Sequence, residues 1–234
     1  MKTRLLKPVV LMMAILFASC EQSELNSLAD DSKGKASTEA GSLLIFTTNV
    51  SSLTQNDIDG LLLMREEEKM ALDVYDNFYK TYGIVTFDKI SNSEKRHTEA
   101  VLALINHFGL TDPALAEPGK FSNPSIQALY DQLIAAGSSA NLALSTGAFI
   151  EEYDIADLKK LIAETTNTDI IRVYTNLLEG SENHLRAFVR SLASRGVVYS
   201  AQILSAEDFD AIIAGTNSNQ GGVQGNGRGF RGGK

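Results

Sequence analysis

The chain has 234 residues, 29 acidic against 21 basic side chains, a formal net charge of −8 and one cysteine. That balance argues against nucleic acid as a partner and is compatible with cation binding. A single cysteine excludes a disulfide framework and a thiolate metal site, so the core must hold itself together by packing.

Residues 1–19 are basic at Lys2, Arg4 and Lys7 and then apolar from Val9 to Phe17, the pattern of an export signal. The apolar run is too short to span a membrane as a mature helix. It ends in Phe17-Ala18-Ser19-Cys20, which resembles the lipobox of bacterial lipoproteins. The resemblance implies lipidation at Cys20 and a protein attached to the membrane in the cell envelope, outside the cytoplasm, on the periplasmic face or the cell surface. Removing the leader takes the formal charge from −8 to −11. Residues 20–42, rich in Ser, Asp, Glu, Lys and Gly, are expected to be a flexible tether. Residues 215–234 are a Gly-rich tail with too little apolar surface to offset its ordering entropy. Its Arg-Gly pairs resemble RNA-binding tails, but an export signal removes the tail from cytoplasmic RNA.

The segment 43–214 has the size and apolar content of one domain with a single core. Its signals are helical. Long helices are expected over 57–82, stopped by Gly83, and 88–108, stopped by Gly109. Pro113, Pro118 and Pro124 then break the chain before a short helix over 124–136 that Gly137 closes. A third long helix is expected over 139–165, with an interruption near Gly147, and a fourth over 169–194. Residues 197–204 alternate weakly and read as extended, and a short helix over 206–214 follows. The first and second long helices are joined by about five residues, as are the third and fourth, so each pair should form an antiparallel hairpin. The link of about thirty residues between the second and third lets those two run parallel, in an up-down-down-up arrangement.

Four helices place an acid or a histidine where the apolar stripe should continue. In the second, Ile90, Val101, Leu104 and Phe108 extend back through His97 and Glu94, which makes Glu94-x-x-His97 a pair one turn apart. In the fourth, Tyr174, Leu177, Ser181, His184, Phe188 and Leu192 share one face. In the third, Glu151 lies among Leu144, Ala148, Ile155 and Leu158, with Asp154 one turn on and Glu152 about 100° away and expected in solvent. The first has three consecutive acids: one stripe (Leu61, Met64, Ala71, Leu72, Tyr75, Tyr79) contains Glu68, another (Met64, Ala71, Val74, Phe78) contains Glu67. Glu68 is preferred and Glu67 stays as the alternative. Unpaired buried carboxylates are costly, so several converging on one core are best explained by bound cations. His107, in the last turn of its helix, is accounted for by the helix dipole.

The order Glu68, Glu94-x-x-His97, Glu151-x-x-Asp154, His184 resembles the ligand order of rubrerythrin-type ferritin-like proteins. More specifically, Arg65-Glu66-Glu67-Glu68-Lys69, Ser93-Glu94-Lys95-Arg96-His97 and Gly180-Ser181-Glu182-Asn183-His184-Leu185-Arg186-Ala187-Phe188 resemble the DUF2202 family of ferritin-like proteins. The resemblance implies an all-α, ferritin-like four-helix bundle with a helix-containing crossover and a metal site of Glu68, Glu94, His97, Glu151, Asp154 and His184. It departs at Ser181, where a second Glu-x-x-His would need Glu; Asp154 is the candidate replacement, and Glu182 points about 160° away from the stripe. Fe, as one or two ions, is the expected metal, with Mn or Zn as alternatives. Two irons would carry O2 or peroxide chemistry. The chain lacks the four-cysteine electron-transfer module of rubrerythrins proper, so an external electron donor would be required. A homodimer is compatible with this reading and a storage cage is not favoured. Against it stands a non-enzymatic envelope lipoprotein that uses a degenerate bundle as a scaffold or partner-binding module.

Overall fold

Thr54 and Asp57 exchange hydrogen bonds across the first turn of α1 (Gln55–Tyr82), a capping box that fixes where the chain becomes helical. In the computed structural model, which describes residues 53–215, five further helices follow: α2 (Val85–His107), α3 (Pro124–Ala136), α4 (Ala140–Glu164), α5 (Thr168–Ala193) and α6 (Ala206–Ala214). The export signal, Cys20, the tether and the Gly-rich tail lie outside the described residues. Asn123, Ser139, Asn167 and Ser205 each accept hydrogen bonds from backbone N–H groups of the helix that follows.

The connections decide the topology. Only Gly83 and Ile84 separate α1 from α2, and residues 165–167 separate α4 from α5, both tighter than expected. Both pairs pack closely as hairpins. Between the pairs, Asp57 near the start of α1 accepts from Thr165 at the end of α4, while Tyr75, farther along α1, reaches Gly147 and Glu151. Thus α1 and α4 are antiparallel. Thr86 near the start of α2 meets Ser191 near the end of α5, so these two are antiparallel as well. It follows that α2 and α4 run parallel, joined by a crossover over 108–139 that carries α3.

Two expectations fail. Residues 197–204 contain no strand, and no strand occurs among the described residues. Nor is there a break at Gly147, where α4 runs through without interruption. The glycine serves packing: a Cβ there would lie 2.6 Å from the Phe188 ring of α5. Phe188 in turn tilts against Tyr75 and Phe87 at centroid distances of 5.2 and 5.5 Å, and Phe78 joins Phe87 at 5.5 Å. These rings, fully or almost fully buried, form an aromatic wall across one end of the core.

The outer face of α1 is tied to the crossover. Arg65 forms a two-pronged ion pair with Asp112 at 3.0 Å per contact. Lys69 donates to Asp73 and to the carbonyls of Glu117 and Lys120, with its ammonium 4.5 Å above the Phe121 ring. Glu66 accepts from the Ser122 and Asn123 amides.

Candidate metal centre

Glu94 lies between two histidines. Its Oε2 is 2.9 Å from His97 Nδ1 on its own helix, and its Oε1 is 2.7 Å from His184 Nδ1 on α5. Each imidazole also has a second carboxylate nearby: Glu68 Oε2 of α1 is 3.4 Å from His97, and Glu151 Oε2 of α4 is 3.5 Å from His184. The rings stack with centroids 5.3 Å apart and planes at 26°. All four long helices therefore contribute, in two matching halves that share Glu94. Glu68, Glu94 and Glu151 are each only 2% exposed.

Several of these atoms lack what a buried polar atom requires. Neither Nδ1 makes an aligned hydrogen bond despite its close oxygens, and Glu68 Oε1 has no donor. Ligand atoms of Glu94, His97 and His184 all lie within 4.8 Å of one another, close enough to hold one metal ion. This set of oxygens and imidazole nitrogens suits Fe, Mn or Zn.

Ser181, where the Glu-x-x-His pattern would need Glu, has its hydroxyl within hydrogen-bond distance of both Asp154 Oδ2 and the Leu177 carbonyl. Asp154 itself, half-buried on α4, lines the same cavity as Glu67, Glu68, Glu94 and Glu151. Tyr75 donates to Glu151 Oε1 at 2.6 Å. Glycine at 180 makes room for the imidazole of His97, since a Cβ there would lie 2.5 Å from Nε2.

Residues 57–216 match the family described as an uncharacterized protein domain, DUF2202. The chain belongs to the DUF2202 family. It is 43% identical over 164 residues to the uncharacterized protein MJ0754 of Methanocaldococcus jannaschii, covering 69% of this chain and 89% of that one. The crystal structure of the same hypothetical protein superposes with a TM-score of 0.71 at 42% identity, over 72% of this chain and 98% of that one.

Electrostatics in this DUF2202 domain follow from the burial. Desolvation alone would lower both histidines, but Glu94 and Glu68 push His97 up to about 12, and Glu94 and Glu151 push His184 up to about 10. Glu94 goes the other way: burial opposes its ionised form, yet His184 and His97 hold it well below the usual carboxylate range. Burial raises Glu67, Glu68 and Glu151, and it raises Asp154 to about 7 with Glu151 and Glu94 adding to the effect.

The three consecutive acids of α1 are all buried and point to three partners. Glu66 takes the crossover amides, Glu68 takes His97, and Glu67 faces Tyr153, Asp154 and Asp157 of α4. Glu152 corrects the expectation of a solvated side chain. It is 0% exposed and accepts from Tyr199 Oη and from the amides of Gln202, Ile203 and Leu204, at 2.7–3.1 Å. Those bonds pin the segment read as extended, so its place is set by a carboxylate and not by a sheet. Tyr79, counted in the Glu68 stripe, is 38% exposed.

Proposed function

We propose that this protein is a ferritin-like metalloprotein whose site would hold two cations around Glu94, with iron as the physiological metal and Mn or Zn as the alternatives. The observation that carries this reading is the paired arrangement around Glu94: one carboxylate oxygen for each histidine, and a further carboxylate beside each. His97 and Glu68 would bind one cation, His184 and Glu151 the other, and Asp154 would supply the carboxylate that Ser181 does not. The up-down-down-up helix order supports the ferritin-like assignment.

A bound iron pair supplies redox chemistry toward O2 or peroxide. The chain's own residues set the conditions: Tyr75 Oη fixes the Glu151 carboxylate, Gly180 leaves the space His97 occupies, and the aromatic wall keeps water from that side. Turnover would need an external electron donor, and this oxidoreductase activity belongs to the proposal. So does anchoring: lipid attached at Cys20 would hold the domain in the cell envelope by the tether. The scaffold alternative draws its support from Ser181, the one departure in the ligand pattern.

Elemental analysis of the full-length chain, purified without chelator from iron-supplemented cells, tests the reading. About two irons per chain, lost in Glu94→Ala and His97→Ala together with O2 or peroxide consumption, is the expected result. A metal-free protein whose melting temperature ignores added Fe²⁺, Mn²⁺ and Zn²⁺ would instead favour the scaffold.

A further inference from the structure

Two methionines of α1 are equally buried and differently placed. Met64 is 0% exposed and Met70 1%. Met70 lines the cavity that also contains Glu68, Glu94 and Glu151, and Met64 does not. Gap filling in a core accounts for either side chain, since a flexible thioether suits irregular spaces. Only Met70 is placed where a molecule admitted to the acidic cavity would meet it.

The chemistry of the lining sets Met70 apart from its neighbours. The carboxyl groups are already fully oxidised, and the side chains of Ala71 and Ile150, which complete the apolar part of the wall, carry no lone pair. Tyr153 is also on the wall, but its phenol is hydrogen-bonded with Glu67 and Asp157, and a phenol gives up electrons singly. A thioether keeps a free electron pair on sulfur, reacts without first losing a proton, and accepts an oxygen atom to become a sulfoxide. No thiol competes with it among the described residues, because Cys20 is the only cysteine of the chain and lies outside them.

We propose that Met70 is an internal reductant of the site, taking an oxygen atom from hydrogen peroxide that enters the cavity. The sulfur lone pair attacks one peroxide oxygen and the O–O bond breaks. The departing hydroxide then takes up the proton left on the transferred oxygen, so thioether and peroxide become sulfoxide and water. Sulfur supplies both electrons, and this single event requires no external donor. The inference rests on the reading above in taking peroxide as a molecule the cavity admits, and it needs no step at the cations. The sulfoxide is polar where the thioether was apolar. At 1% exposure it is shielded from reductases acting on the folded chain, so each chain reacts once and keeps the mark.

The full-length chain, exposed to iron and assayed for metal content, is treated with equimolar hydrogen peroxide, quenched with catalase and digested with trypsin. Cleavage after Arg65 and after Lys69 puts Met64 and Met70 on separate peptides. Mass spectrometry should find an added oxygen on the Met70 peptide while the Met64 peptide stays unmodified; in denaturant, where the cavity is gone, both should be oxidised alike. Met70→Leu, which conserves volume, should fold, bind as much metal as the parent and lose the reaction. Equal oxidation of the two methionines in the folded chain, or a metal-loaded chain that leaves Met70 unmodified, refutes the role of Met70 and leaves the paired centre standing. A chain that holds no metal but still oxidises Met70 ahead of Met64 overturns the paired centre and keeps the inference. A chain that does neither overturns both.

Discussion

Gly180→Ala tests whether His97 is held in place for binding. Glycine inside a helix costs about 1 kcal/mol relative to alanine, so at an indifferent position the substitution should stabilise α5. Here the new methyl would lie 2.5 Å from His97 Nε2 and 2.6 Å from Cε1. Restoring an ordinary contact of 3.4 Å means moving the ring by about 1 Å, and overpacking of this kind typically costs about 1–3 kcal/mol. The two effects oppose each other, leaving a net destabilisation of roughly 0–2 kcal/mol, at most about 8 °C in melting temperature for a domain of this size. Binding has no such compensation. Nδ1, which sits 2.9 Å from Glu94, shifts with the ring, and disturbing the groups that orient a ligand typically weakens metal affinity about 10–100-fold. Fe²⁺ or Co²⁺ titration beside a thermal melt should thus show a large loss of affinity with a small change in stability. A Gly180→Ala protein that binds metal like the parent would remove His97 from the site, and one that simply melts several degrees higher would show that the ring is free to move.

Tyr75→Phe removes the donor to Glu151, leaving a buried carboxylate oxygen unpaired; metal affinity should fall about tenfold, and the apoprotein should lose about 1–3 kcal/mol by denaturant titration. Glu152→Ala releases three amides and a phenol at once, costing about 3 kcal/mol or roughly 6–12 °C, with proteolysis newly admitted between 197 and 204 and metal content unchanged. The pH dependence has a definite sign. His97 and His184 titrate higher in the fold than the ordinary 6.5, so their contribution is complete below that value and is lost only as pH rises through about 10 and about 12. Asp154, raised from 3.8 to about 7, favours the folded apoprotein at low pH and loses that contribution as pH climbs through 7; Glu94, lowered, contributes above 4.5 and loses it only in strong acid. Melts in chelator should therefore decline from pH 5 to pH 8. Cation binding must displace both imidazolium protons, so affinity should rise about 100-fold per pH unit over that range, with at least two protons released per loaded chain by titration in weak buffer; pH-independent binding would place the metal elsewhere.

Local chemistry made much of the architecture readable. Asn123-Pro124 and Gly137 bracket α3, and Ser205 and Gly215 bracket α6, so those limits follow from single residues. Asp88 resembled a helix start but lies within the first turn of α2, whose Ile84 cap makes no side-chain bond; the entry is set by the tight Gly83-Ile84 turn, which composition does not announce. Gly147 was misleading because its reason lies on another helix, in Phe188. At the centre, periodicity brought Glu68, Glu94, His97, Glu151 and His184 onto facing stripes, since each stripe meets a neighbouring long helix. It missed Glu66 and Glu152 because a single stripe assumes one buried face. Helix α1 is covered by the crossover as well as by α2 and α4, and α4 is covered by the segment after α5, so acids 100° from the main stripe also find amides. Charge alone does not separate a carboxylate that serves a loop from one that serves a metal; its donors do.

The aromatic wall gives the interior a polarity. Tyr75, Phe87 and Phe188 close one end of the core with rings, while Glu67, Glu68, Glu94, Glu151 and Asp154 line a cavity with carboxylates. A cation arriving from solvent finds counter-charges along the acidic side and none among the rings. A small apolar gas has the reverse preference, since it dissolves among aromatic side chains more readily than among ionised groups. Under the proposed function, the protein would sort its visitors by solvation, with charge and gas approaching Glu94 from different quarters.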